Sequence, residues 1–288
     1  MNPYYQLVTE YARLAREGAD YPLGRFPRCP RPQAAADAPK ALLFSPHPDD
    51  EVITGGLPLR LLRKSGWHVI NVAVTQGSKR ERQEERLAEL KGCCDCVGFA
   101  LEQTAPRGLE RIQVKTRNED PAHWSAAVRI IADILGRHSP RVIFLPHADD
   151  WNSTHVGTHH LVMDALKTMR AEFKCHAVET EYWRPMESPN LMVELSIQEV
   201  SDLVTALTFH AGELKRNGYH LSLPAWMVDN ARRGSELVGG QGAASPGYTF
   251  ATLYRLSKWA NGSLQPSIAG GRFLSSKENP AGVFTLPS

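Results

Sequence analysis

No stretch of the 288-residue sequence approaches the roughly 18 consecutive apolar residues that a bilayer-spanning helix needs, so no membrane segment is expected. An excess of one charge is missing too. Lys and Arg number 33 against 31 Asp and Glu, a net charge of +2. So small an excess gives no reason to expect a nucleic-acid or membrane-surface partner. The opening MNPYYQLVTEYARLAREG is amphipathic but lacks an apolar core segment and a cleavage site, so no secretory leader is expected. Cysteine is scarce and odd in number: five residues, at 29, 93, 94, 96 and 175, three of them in CCDC. That is no disulfide framework, and it favours a reducing, cytoplasmic setting. With no second pair at zinc-site spacing, CCDC reads as small packing residues. Ser45 and Ser153 lack the setting of a nucleophile elbow. GGQGAASPG follows a helical segment and lacks the Lys-Ser/Thr ending of a phosphate loop.

What is present is an ordinary globular composition, 42% hydrophobic and 22% charged, long enough for one large domain or two small ones. Residues 4 to 17 place Tyr4, Leu7, Tyr11 and Leu14 at helical steps. A proline-rich connector follows. KALLFS predicts a short buried strand, and GGLPLRLLRKSG a helix closed by Gly66. WHVINVAV predicts a second strand. Residues 79 to 97 carry a dense charge run with one apolar stripe, Leu87, Leu90, Cys94 and Val97, which predicts a surface helix. AHWSAAVRIIADILGRH predicts a helix, RVIFLP a third strand, and THHLVMDALKTMRAEF another helix. Alternating strands and helices imply a mostly parallel sheet covered on both faces. The last stretch, from residue 261, has little periodicity and reads as a tail that wraps the domain or meets a partner subunit, so a homo-oligomer is allowed for.

Two strand exits carry similar chemistry: LLFSPHPDDE and VIFLPHADDWNSTH. Ligands of open parallel sheets sit outside the carboxyl ends of strands, which directs both segments to one crevice. His47 and Asp50, three apart in a turn, can face one point. A third ligand from the second loop would complete a catalytic metal triad with an open position. Asp49, between the two, would be left free as general base for water at the metal. A single Asp at a strand end often only caps the next helix. Three acids beside a histidine are another matter: they repel one another, and a bound cation is the simplest remedy.

PHPDDE after a strand and before GG and a helix resembles the signature of the PIG-L/LmbE-like zinc-dependent N-deacetylases. RLAELKGCCDCVG resembles the family's Arg-x-x-Glu helix. PHADDWNSTHVGTHHLV resembles its later loop, where a His opens a helix, and LVTALTFHAGE resembles its Ala-Leu-x-x-His segment. The resemblance spans roughly residues 40 to 215. It implies a Rossmann-like three-layer α/β sandwich with a mostly parallel sheet. Residues 1–39 would be an N-terminal helix and connector, 40–260 the LmbE-like deacetylase domain, and 261–288 a tail. It implies His47, Asp50 and His155 as metal ligands, Asp49 as the base, and Zn²⁺ as the ion, with Fe²⁺ or another divalent metal also suited to the donors. The expected reaction removes acetyl from an N-acetylated amino sugar of the N-acetylglucosamine type or its conjugate. Arg86 matches a family arginine that faces the sugar, and Gln76 is a further substrate-binding candidate. The loop departs from the family's His-Pro-Asp-His: Asn152 stands for the first His and Thr154 for the Asp. Asn152 can donate to an oxyanion but cannot give a proton. The general acid is therefore open among His147, His210 and a returning Asp49. Asp149 and Asp150 are candidates to orient a ligand histidine. His159 could pair with His155 one turn away, or simply pack in the core. The competing readings are a metal-dependent phosphoester or other amide hydrolase, and a non-catalytic sugar- or nucleotide-binding module on the same fold.

Overall fold

A computed structural model describes residues 2–27 and 34–284; Cys29 and the middle of the proline-rich connector lie outside them. Among the described residues nine strands form one sheet: β1 (Lys40–Ser45), β2 (His68–Ala73), β3 (Ala100–Gln103), β4 (Val142–Pro146), β5 (Cys175–Thr180), β6 (Leu191–Leu195), β7 (Phe250–Ala260), β8 (Ser263–Pro266) and β9 (Arg272–Leu274). Their order is β3-β2-β1-β4-β5-β7-β6-β9, with β8 paired to β7. The first five strands run parallel; β7 is antiparallel to β5, β6 and β8. The helices are α1 (Pro3–Gly18), α2 (Asp50–Ile53), α3 (Gly56–Ser65), α4 (Gln83–Val97), α5 (Val114–Glu119), α6 (Pro121–His138), α7 (Ser153–Thr168), α8 (Ile197–Leu207), α9 (Ala211–Leu214) and α10 (Leu223–Gly239).

Strand periodicity builds the three layers. On β1, Ala41 and Leu43 join one core with Leu57, Leu61, Leu90 and Leu203, from α3, α4 and α8. Leu42 and Phe44 point the other way, into a core with Ile131, Leu135, Leu161 and Val162, from α6 and α7. Both faces of β1 are covered, which is why KALLFS is an almost unbroken apolar run rather than an alternating one. The fold is thus the mixed α/β sandwich that the sequence implies.

Local chemistry sets the ends of the helices that matter. Gly66 closes α3 at φ 66, a left-handed value that costs glycine little. Asp120 caps α6 through the His123 N–H, and Asn152 caps α7 through the Thr154 N–H. The charged start of α4 faces solvent, but Cys93, Cys94 and Cys96 are buried where this helix packs on α8. Cysteines are small enough to let the two helices approach, so the segment is a surface helix only in its first half.

The last stretch of chain packs into the same sheet. β9 pairs in parallel with β6, and Phe284 is buried against Trp67. Arg60 of α3, wholly buried, donates to the carbonyls of Glu194, Ser275 and Glu278 at 2.7–2.9 Å. Arg60→Met keeps the bulk and removes these donors. Water can reach these partly buried or exposed acceptors, so urea unfolding is expected to show a loss of about 1–3 kcal/mol in all.

Candidate functional site

β1 is the pivot of the sheet. Its neighbour on one side is β2 and on the other β4, so the chain leaves the carboxyl ends of β1 and β4 in diverging directions and a crevice opens between them. The loop after β1 supplies His47, Asp49 and Asp50; the loop after β4 supplies Asp150, Asn152 and His155. Gly157 lets α7 come in close: a Cβ there would stand 2.3 Å from the Ile112 carbonyl oxygen. The approach sets His155 over the β1 loop.

His47 Nδ1, Asp50 Oδ2 and His155 Nε2 form one cluster. The two nitrogens are 3.2 Å apart, His155 Nε2 lies 3.3 Å from Asp50 Oδ2, and His47 Nδ1 lies 3.5 Å from it. Ligands about 2.0–2.1 Å from a tetrahedral ion stand about 3.3 Å from one another, so these spacings fit three corners of a zinc-like site. Asp50 also accepts the His47 N–H at 2.8 Å, so it closes its own turn while offering Oδ2 to the crevice. A second cluster, Glu51, Cys93 and His210, has the residue types of a metal site but different spacing. His210 Nε2 is 2.7 Å from Glu51 Oε1, the length of a charge-assisted hydrogen bond rather than the edge of a coordination shell.

The electrostatics agree with a cation at the first cluster. His155 is fully buried. Burial works against its charge, but Asp50 and Asp150 outweigh burial and hold its pKa up to about 10. The same two carboxylates place negative charge on both sides of the ring. For Asp50, burial opposes ionisation, yet His155 and His47 hold it well below the usual carboxylate range. Asp150 Oδ1 is 3.7 Å from His155 Nδ1, an ionic contact behind the ligand face. Asp150 is itself anchored by the backbone N–H groups of Asn152 and Trp183 at 2.7 and 3.1 Å. Its partner Asp149 is exposed. Asp150→Asn is expected to weaken metal binding about 10–100-fold with the fold intact, as measured by competition against a chelator.

Asp49 stands beside this cluster with an unusual backbone, φ 118. A non-glycine residue there stores about 1–3 kcal/mol of strain. Tyr219 donates its hydroxyl to Asp49 Oδ2, and Arg86 Nη2 lies 4.0 Å from the same oxygen while bonding the Pro48 carbonyl at 2.9 Å. Burial and the Asp50 charge push the Asp49 carboxyl up to about 7, against the pull of His210, Tyr219 and Arg86.

The other sequence candidates scatter. Asn152 lies in the second loop with its Oδ1 engaged as the α7 cap. His147 is buried and turned to the Arg184 carbonyl at 2.8 Å. His210, 1% exposed, is paired with Glu51. His159 bonds the Pro146 carbonyl at 2.9 Å, a core histidine. Gln76 is buried with neither side-chain amide atom bonded to protein, an orphan that a ligand or water would satisfy. Beside His47 opens a cavity of about 270 Å³ lined by Ser78, Arg80, Gln83, Arg111, Gln113 and Thr154. Tyr219, and Tyr182 whose ring stands edge-on to His155 at 4.7 Å, were not singled out by any motif. Tyr219 does fall in the stretch 210–242, whose mixture of charges and aromatics suits a pocket wall, a subunit contact or a cap on the sheet alike.

Residues 42–166 match the family model PIG-L, GlcNAc-PI de-N-acetylase, a span that contains both loops. The resemblance read from PHPDDE therefore holds. Among solved structures, the chain is similar to the conserved protein TT1542 from Thermus thermophilus at 16% identity, TM-score 0.58, covering 80% of this chain and 97% of that one. It is similar to GalB, the 4-carboxy-2-hydroxymuconate hydratase from Pseudomonas putida, at 15% identity and TM-score 0.57, covering 76% and 95%. N,N'-diacetylchitobiose deacetylase from Pyrococcus horikoshii matches at 16% identity and TM-score 0.54, covering 88% and 92%. At such identities the likeness is one of fold. No curated protein matches the chain. Among the described residues no helix is long and apolar enough to cross a membrane.

Proposed function

Taking the PIG-L match through both loops as premise, we propose that the protein is a divalent-metal-dependent hydrolase that removes acetyl from an N-acetylated amino sugar or its conjugate. The observation that carries this reading is the trio of donors at tetrahedral spacing with a spare carboxylate, Asp49, beside it. His47, Asp50 and His155 would hold the ion, and zinc suits two imidazoles and a carboxylate. When bound, the ion supplies a Lewis acid for the acetamide carbonyl and acidifies water.

Asp49 takes the proton of the attacking water. Tyr219 and Arg86 both meet its Oδ2, which leaves Oδ1 to take that proton. Asn152 gives its Oδ1 to the helix cap, which leaves its amide N–H groups to steady the oxyanion. The leaving amine needs a proton. His147 and His210 are both engaged and buried, so Asp49 returns the one it took. Asp49, its carboxylate held by Tyr219, can take the proton from water and hand it on to the amine. The cavity beside His47 fits a neutral polyol: its arginines, Arg80 and Arg111, are already paired with Glu110 and Asp120, leaving amides and hydroxyls to meet sugar oxygens.

The test is acetate release from a panel of N-acetylglucosamine, N,N'-diacetylchitobiose and N-acetylglucosaminyl conjugates by metal-loaded protein. Acetate and free amine in equal amounts are expected. Phosphate release from phosphorylated sugars would mark a phosphoesterase. Hydration, the activity named for the Pseudomonas neighbour, would release nothing. Binding without turnover would mark a sugar-binding module.

A further inference from the structure

Glu51, the last acid of PHPDDE, takes no part in the chemistry proposed above, yet it is wholly buried. Oε2 accepts the Asp49 backbone N–H at 2.9 Å, Oε1 meets His210 Nε2 at 2.7 Å, and the Cys93 thiol is a third partner. These contacts reach Glu51 from three places: the β1 loop, the residue that precedes α9, and the inner face of α4. A buried charge pair is weak evidence of stability by itself. Its placement here is informative. It grips the backbone of Asp49, a non-glycine residue at a strained positive φ.

Asp49 and Asp50 are consecutive, and on ordinary backbone their side chains would diverge. The positive φ at Asp49 changes the direction in which its carboxylate leaves relative to the ligand Asp50. We propose that the Glu51–His210 pair is a clamp that holds Asp49 in this conformation. Both are then positioning residues for the base, and His210 acts behind it rather than on substrate. Tyr219 holds the carboxylate end of Asp49, and Glu51 holds its backbone end. The clamp's catalytic consequence rests on Asp49 being the base; its structural consequence does not.

Two variants separate the parts. Glu51→Gln keeps an acceptor for the Asp49 N–H and a partner for His210, whereas Glu51→Ala keeps neither. In metal-loaded crystals, Asp49 is expected to retain its positive φ in Glu51→Gln and to leave it in Glu51→Ala. On the panel sugar cleaved fastest, Glu51→Ala is expected to lose about 100-fold in kcat, the size of an effect from a base displaced by about 1 Å. KM should move by less than about 3-fold, because substrate contacts are unchanged. Bound metal should stay at the wild-type level, and Glu51→Gln should recover most of kcat. His210→Asn, which loosens the pair from its far side, should lower kcat in the same direction and serves if Glu51→Ala does not fold. Unchanged kcat with positive φ retained would overturn the clamp, as would loss of metal together with activity. If no sugar is cleaved, the deacetylase reading fails instead; if Asp49→Asn stays active, only the role of Asp49 as base fails; in both cases the Asp49 φ in the variant crystals still decides the clamp.

Discussion

Asp49→Asn is expected to lower acetate release about 10²–10⁴-fold, the range attributed to a lost general base, without loss of bound metal. Asparagine is the substitution that isolates the proton. Like Asp, it tolerates positive φ, so the backbone at 49 has no new reason to move. Its Oδ1 can still accept the Tyr219 hydroxyl. What it cannot do is take a proton from water or return one to the amine. The three donor atoms of the metal cluster belong to other residues, so metal content separates this variant from a ligand variant. Turnover close to wild type would remove Asp49 from the mechanism. Loss of metal along with activity would show that Asp49 is a ligand instead.

His155→Ala is expected to abolish both metal binding and activity. The loss of affinity should exceed the roughly 100-fold that removal of an outer partner such as Asp150 causes, because a corner of the site itself is gone. The apoprotein should suffer as well. His155 sits fully buried between Asp50, Asp150 and the Tyr182 ring. Without it two carboxylates face each other in a dry site, and breaking a buried charge pairing costs about 3–5 kcal/mol. A thermal-shift series should therefore show two effects. The wild-type protein should lose stability on chelation, since a ligand bound only to the native state stabilises it. The variant should start lower and be indifferent to chelator. A variant that still responds to chelator would place the ion elsewhere.

The convergence of His47, Asp50 and His155 was legible in the sequence because the segments that carry them follow strands, and strands declare themselves by composition. KALLFS and RVIFLP are buried on both faces and read as apolar runs; His47 and Asp50 follow β1 closely, and His155 stands in the first turn of α7, beyond the loop that leaves β4. Adjacency of β1 and β4 needed only the rule that ligands gather at the carboxyl edge of a parallel sheet. What sequence could not show is contact between segments far apart. The Tyr219–Asp49 bond joins residues 170 positions apart, and the Glu51–His210 bond spans 159. No spacing rule links such residues, and a tyrosine in a mixed helical stretch looks like any other.

Two other features escaped for separate reasons. β9 is three residues long and owes its place to pairing with β6 and to the grip of Arg60 on the chain beyond it, not to periodicity of its own. α1 does form where the Tyr4–Leu7–Tyr11–Leu14 steps predict, yet those side chains are exposed. Periodicity predicts a helix and an apolar face; it does not say what the face rests on.

The central claim is that loops from β1 and β4 hold one divalent ion between them. Anomalous diffraction from a crystal of fully metal-loaded protein tests it most directly. The account predicts a single peak about 2.0–2.2 Å from His47 Nδ1, Asp50 Oδ2 and His155 Nε2, with Asp49 outside the coordination shell. A peak at Glu51, Cys93 and His210, or imidazoles of His47 and His155 too far apart to share an ion, would contradict it.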